Sequence, residues 1–172
     1  METPRTEDVQ HEEAVKTTVV ALDQGEESFH ALEWALETIR FGASDKVVLI
    51  HARTSPASRL SAFGGPEGYI VSTDLILNME KAQEREINEF MDRALQLCEK
   101  KQVKAVKLIV YGDARDVISE ETKKLHANML VIGSHGYGAV KRTFLGSVSD
   151  YCVHHVECPV VIVKKKPEKK DA

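Results

Sequence analysis

The chain's 172 residues suit one domain with a sizeable core and leave little room for a second. With 42% hydrophobic and 29% charged residues, the composition is that of an ordinary globular protein and excludes wholesale disorder or a fibrous class. A net charge of −4 argues against a nucleic-acid binder that works by neutralising many phosphates, and no apolar run approaches the roughly 18 residues of a membrane span.

Residues 1–15 carry Pro4 and five acidic residues with little apolar content, and read as a disordered tail without signal- or transit-peptide character. Thr17 to Asp23 (TTVVALD) is β-branched and apolar, as a strand covered on both faces should be. Gln24-Gly25-Glu26-Glu27-Ser28 forms a turn and helix start, with acids where the helix dipole favours them. Phe29, Leu32, Ala35, Leu36 and Ile39 then recur at helical spacing, and Gly42 is expected to close the helix. Lys46 to Ala52 is a second buried strand. Arg53 to Thr73, with Pro56, Gly64-Gly65 and Pro66, reads as a long loop.

From Asp74, a plausible N-cap, to Lys101, the positions Met79, Ala82, Ile87, Phe90, Ala94 and Leu97 describe one face of a long helix. Val103 to Tyr111 is a third strand, and Lys104 and Lys107 give it the character of an edge with a wet side. Asp113 to His126 is a short helix, Asn128 to Ile132 a fourth strand, Ser147 to about Val156 a helix, and Val160 to Val163 a last strand introduced by Pro159. Residues 166–172 are a charged tail. Strands alternating with helices predict an α/β domain over 16–165, with a mostly parallel sheet covered on both faces.

The most distinctive stretch is Gly133-Ser134-His135-Gly136, nine residues, then Gly146-Ser147-Val148-Ser149. It runs from strand through glycine loop to helix start, the order a phosphate site needs. Glycines at 133, 136 and 146 permit positive φ and close ligand approach, and the hydroxyls of Ser147 and Ser149 join free N–H groups at a helix N-terminus. Two familiar phosphate loops do not fit. A Walker A loop needs Gly-Lys where Gly138-Ala139 stands, and a dinucleotide fingerprint starting at Gly136 needs a third glycine where Lys141 stands.

These residues resemble the universal stress protein family, in its UspA-like, ATP-binding branch. The signature G-x2-G-x9-G-[ST] is matched by Gly133, Gly136, Gly146 and Ser147. Val20-Ala21-Leu22-Asp23, the Ala31-Leu32-x-Trp34-Ala35-Leu36 helix and Cys158-Pro159-Val160-Val161 add to the likeness, which spans roughly Lys16 to Lys165. The resemblance implies a Rossmann-like five-stranded sheet of order 3-2-1-4-5, with the first and fourth strands adjacent at the switch point.

The same resemblance implies adenine-nucleotide binding, ATP or AMP, in a stress-response module, with Mg²⁺ accompanying ATP phosphates. Asp23 would contact the ribose, with Ala21 and Ala52 lining the adenine slot. Gly133, Gly136, Gly146, Ser147, Val148 and Ser149 would hold the phosphates, with Lys141 and Arg142 meeting the outer ones, and Ile132 counts among the nucleotide-binding residues. Many relatives have Gly-Ser after the aspartate; here Gln24-Gly25 takes that place and removes a serine cap. Relatives commonly dimerise through the last strand, here Val160, Val161, Ile162 and Val163, which would cover an apolar edge.

Each feature also has a plainer reading. Asp23 can be a helix cap, His135 an exposed loop residue rather than a donor or base, and His51 a neighbour of the site without a chemical role. Cys152, His154, His155 and Cys158 have a zinc-like composition, but His154 leaves the helix face that Cys152 and His155 share. Three cysteines without framework spacing read as reduced thiols, so the cytoplasm is the expected compartment, and the lysines at 164–166, 169 and 170 leave the nucleus open. Rival functions are a slow magnesium-dependent ATPase or phosphotransferase, which needs an acid set not evident here, and a holdase-like interaction protein with a vestigial nucleotide site.

Overall fold

The computed structural model describes residues 15–54, 73–136 and 145–165. Five strands and four helices alternate along them: β1 (Thr17–Ala21), α1 (Glu26–Thr38), β2 (Lys46–Arg53), α2 (Thr73–Lys100), β3 (Ala105–Tyr111), α3 (Ala114–Lys124), β4 (Met129–Gly133), α4 (Ser147–His155) and β5 (Val160–Val163). The sheet order is β3-β2-β1-β4-β5, as the family resemblance implied, and every pairing is parallel. β1 sits at the centre, Ala21 level with Ile50 of β2 and Ile132 of β4. The chain leaves β1 in one direction to build β2 and β3, then returns to its other side for β4 and β5. That reversal opens a crevice at the carboxyl ends of β1 and β4.

Side chains alternate across each strand, which divides the core into two layers. Val20, Leu49 and Val131 pack with Ala31, Leu32 and Ala35 of α1 and Ile87, Phe90, Met91 and Ala94 of α2. Val19, Val48, Ile50, Leu130 and Ile132 face Val117 and Ile118 of α3 and Cys152 of α4 on the other side.

Several boundaries differ from expectation for local physical reasons. α1 ends at Thr38, and Gly42 instead belongs to the turn into β2, where its N–H donates to Asp45 Oδ2 at 2.8 Å. That bond, with one from the Lys16 N–H, holds the Asp45 carboxyl below its usual range. Asp74 lies inside the first turn of α2 rather than at its cap. Met79 and Ala82 do not face the core: Met79 is 42% exposed, and the buried face comprises Ile87, Phe90, Met91, Ala94 and Cys98. A 28-residue helix is about 42 Å long, whereas the eight residues of β2 span about 26 Å, so the first turns of α2 overhang the sheet. β3 is an edge strand as expected, with Val106 60% exposed and Lys107 paired to Asp92 at 2.6 Å.

Candidate functional site

The crevice beyond β1 and β4 is a cavity of about 470 Å³. Its walls bring together residues more than a hundred positions apart: Ala21, Leu22 and Asp23 after β1, His51, Ala52 and Thr54 at the end of β2, and Ile132, Gly133, His135, Gly136, Gly146, Ser147, Val148 and Ser149 around β4 and the start of α4. Every proposed site residue within the described part of the chain lines this cavity. Lys141 and Arg142 lie outside the described residues.

The glycines work differently from the expectation of positive φ. Among the described glycines only Gly112 has one, at +148°. At 133, 136 and 146 the requirement is space. A Cβ on Gly133 would stand 3.0 Å from the backbone C and O of Glu27, and one on Gly146 3.2 Å from His135 Cα and Ser134 O. A Cβ on Gly136 would come within 2.9 Å of Asp23 Oδ2, which sets the two halves of the signature against each other across the crevice.

The N-cap of α1 is Gly25, and Asp23 stands two residues before it. Asp23 Oδ1 accepts from Gly25 N–H at 2.9 Å, closing an Asx turn. Ser28 then replaces the serine missing after the aspartate. Its hydroxyl accepts from Asp23 N at 3.1 Å and lies 2.9 Å from Asp23 O and 3.0 Å from Gly25 O, so the turn stays tied to α1.

On the opposite wall, Gly146 N donates to Ser134 O at 2.7 Å and folds the loop back onto the end of β4. The Ser149 hydroxyl is 3.0 Å from Ser134 O and 2.9 Å from Gly146 O, and the residue is 3% exposed. In this arrangement the hydroxyl is bonded within the loop and the first turn of α4. Ser147 is exposed at the first position of α4.

Residues 14–164 match the model of the universal stress protein family. The chain belongs to this family. It is 31% identical over 140 residues to a universal stress protein A-like protein of Arabidopsis thaliana, covering 80% of this chain and 78% of that one. Universal stress protein PHOS34 of the same plant is 36% identical over 162 residues, 84% of this chain, and the chain spans 60% of its length. Among solved structures, a universal stress protein family protein from Arabidopsis thaliana with AMP bound has the same fold: TM-score 0.64 and 24% identity over 91% of this chain and 96% of that one.

Beyond the universal stress protein signature, the site has parts that periodicity does not reveal. Glu27, in the first turn of α1, accepts from Ser134 Oγ at 2.8 Å and from His135 N at 3.0 Å, and its Oε2 lies 3.3 Å from His135 Nδ1. His135 is consequently not an exposed loop residue; its side chain is 15% exposed. The only sequence signal for Glu27 was an acid in a helix's first turn, which many helices share. His51 lines the cavity with Nδ1 2.8 Å from Leu22 O, so the neutral ring carries its proton on Nδ1. Burial lowers its pKa below the usual 6.5, opposed by that bond and by the charge of Asp23.

The cysteines and histidines crowded in and just after α4 part company. Cys152 is fully buried, while His154 and His155 are exposed, each with Nδ1 2.8 Å from a carbonyl one turn back in its own helix. Burial raises the Cys152 thiol to about 11, as it does Cys98 on the other side of the sheet.

Proposed function

We propose that this universal stress protein domain binds an adenine nucleotide, ATP or AMP, in the crevice between β1 and β4. The observation that carries the reading is the convergence of Asp23 and the Gly133/Gly136/Gly146 loop on one cavity at the switch point. The loop leads to the N-terminus of α4, where free N–H groups and the helix dipole suit phosphate. In this reading Asp23, after the middle strand, takes the hydroxyls of the ribose, and Ala21 and Ala52 line the adenine slot. The Arabidopsis relative with AMP bound supports the choice of an adenine nucleotide. Mg²⁺ would enter with the phosphates of ATP.

In this reading nucleotide occupancy biases a dimer or a partner contact in a cytoplasmic stress response. β5 has no strand on its outer side among the described residues, and Val160, Val161, Ile162 and Val163 would pair there with a second copy. Isothermal titration with ATP, AMP and GTP tests the ligand. Dissociation constants below millimolar for ATP or AMP, with GTP weaker, are the expected result; a folded protein that binds neither rejects the proposal. Sedimentation with and without the nucleotide tests the coupling to assembly.

A further inference from the structure

α2 adds Gln83 and Ile87 to the cavity lining, which also includes Ala52 and Thr54 at the β2 end and the glycine loop. Most polar groups near this wall are already committed. His51 Nδ1 is bonded to Leu22 O. Arg53 donates from Nη2 to Glu80 O at 2.9 Å, lies over the Tyr111 ring at 4.9 Å from its centroid, and does not line the cavity. Gln83 differs. Its Oε1 is enclosed and has no hydrogen-bond partner among the described residues, a condition it shares with Arg53 Nε alone, and of the two residues only Gln83 lines the cavity. An enclosed acceptor without a donor is costly, and one that borders a cavity calls for a partner that enters it.

We propose that Gln83 is the residue that reads the base. The inference rests on the adenine-nucleotide reading above and assigns that site's specificity to α2. The elements that carry the lining supply the direction: phosphate loop at β4, Asp23 after β1, and Gln83 on the stretch of α2 that Arg53 at the end of β2 reaches through Glu80 O. Those strands are neighbours, so β4 and β2 lie about 10 Å apart, and phosphate, ribose and base map onto them in sequence.

A carboxamide presents an acceptor and a donor side by side. Adenine presents the complement, an amino donor next to a ring-nitrogen acceptor. The terminal torsion of a glutamine is broad, so Oε1 turns from its enclosed position toward the amino group without leaving a rotamer well. With the base bound, the unpaired acceptor is satisfied and Nε2 donates to the ring nitrogen. A purine without the amino group leaves Oε1 unpaired, and sites built around a polar partner discriminate strongly against ligands that lack it.

The test compares AMP with purine riboside 5′-monophosphate, which lacks only the amino group, by calorimetric titration of the full chain and of Gln83→Leu. The unaltered protein is expected to prefer AMP by roughly 10-fold, and Gln83→Leu to lose that preference and bind AMP roughly 10-fold more weakly. Thermal melting checks the fold of the variant, and Gln83→Met replaces it if Gln83→Leu does not fold. A variant that folds and keeps the AMP preference overturns the assignment to Gln83 while leaving the nucleotide reading intact. Failure of the unaltered protein to bind either nucleotide overturns both.

Discussion

Glu27 Oε2 lies 3.0 Å from the backbone nitrogen of His135, a residue 108 positions later in the chain. The same oxygen accepts the Ser134 hydroxyl at 2.8 Å, so one carboxylate at the start of α1 holds the beginning of the glycine loop. Glu27→Ala removes the partner of a loop N–H and of a buried residue's hydroxyl, at an expected cost of about 1–3 kcal/mol. Glu27→Gln retains an acceptor oxygen and should recover most of it. Urea denaturation of both variants measures the difference, and hydrogen exchange at the His135 amide should accelerate only in the alanine protein.

Gly133 and Gly136 make contrasting demands that a pair of alanine substitutions separates. At Gly133 the added methyl meets the Glu27 backbone at 3.0 Å and Ser28 N at 3.1 Å, atoms that move only if α1 moves. Gly133→Ala is expected to lose about 1–3 kcal/mol of stability through overpacking. At Gly136 the methyl meets Asp23 Oδ2, the end of a side chain that can turn aside. Gly136→Ala should cost less than about 1 kcal/mol yet displace the carboxylate from the crevice, weakening nucleotide binding. Equal losses of stability in the two proteins would contradict this division.

The alternation of strands and helices was legible because its signals are local and repeat, whereas the strand order, and with it the place of the crevice, came from the family resemblance. Val19, Val20 and Ala21 form an apolar run, α1 and α2 carry helical spacing, and the glycines stand at fixed intervals. The fastening of the site was not legible for the opposite reason. Glu27 to Ser134 is a single hydrogen bond across 107 positions, and nothing about either residue's neighbours announces it. Met79 failed for a geometric reason: periodicity identifies the apolar face of a helix but not where the sheet beneath it ends. Gln83 sits on the partly buried side of a polar stretch of α2 and acquires meaning only from the cavity it borders.

The thiols should differ in reactivity. Cys98 and Cys152 are 1% and 0% exposed, and burial pushes each up to about 11, which leaves little thiolate at pH 8. Cys158 is half-buried and only raised by the same cause. A maleimide or iodoacetamide time course on the native protein should therefore label Cys158 first, with Cys98 and Cys152 modified only at the rate of unfolding. Peptide mass spectrometry reads the order directly, and early modification of Cys98 would contradict the packing of α2 against the sheet.

His51 links the site to pH. Its folded pKa is depressed, chiefly by burial, so the unfolded chain takes up the proton more readily than the native one. Stability is then independent of this group above its unfolded pKa of about 6.5. It declines as pH falls from there toward the lower folded value, by up to about 1.4 kcal/mol for each unit separating the two. Asp23 and Arg53 act on the ring in opposite senses, the carboxylate favouring the charged form and the guanidinium opposing it. His51→Asn keeps a donor toward Leu22 O while removing the titration. Urea midpoints at pH 7.5, 6.5 and 5.5 should fall more steeply for the unaltered protein than for His51→Asn, and parallel declines would show that the ring is not a source of the acid sensitivity.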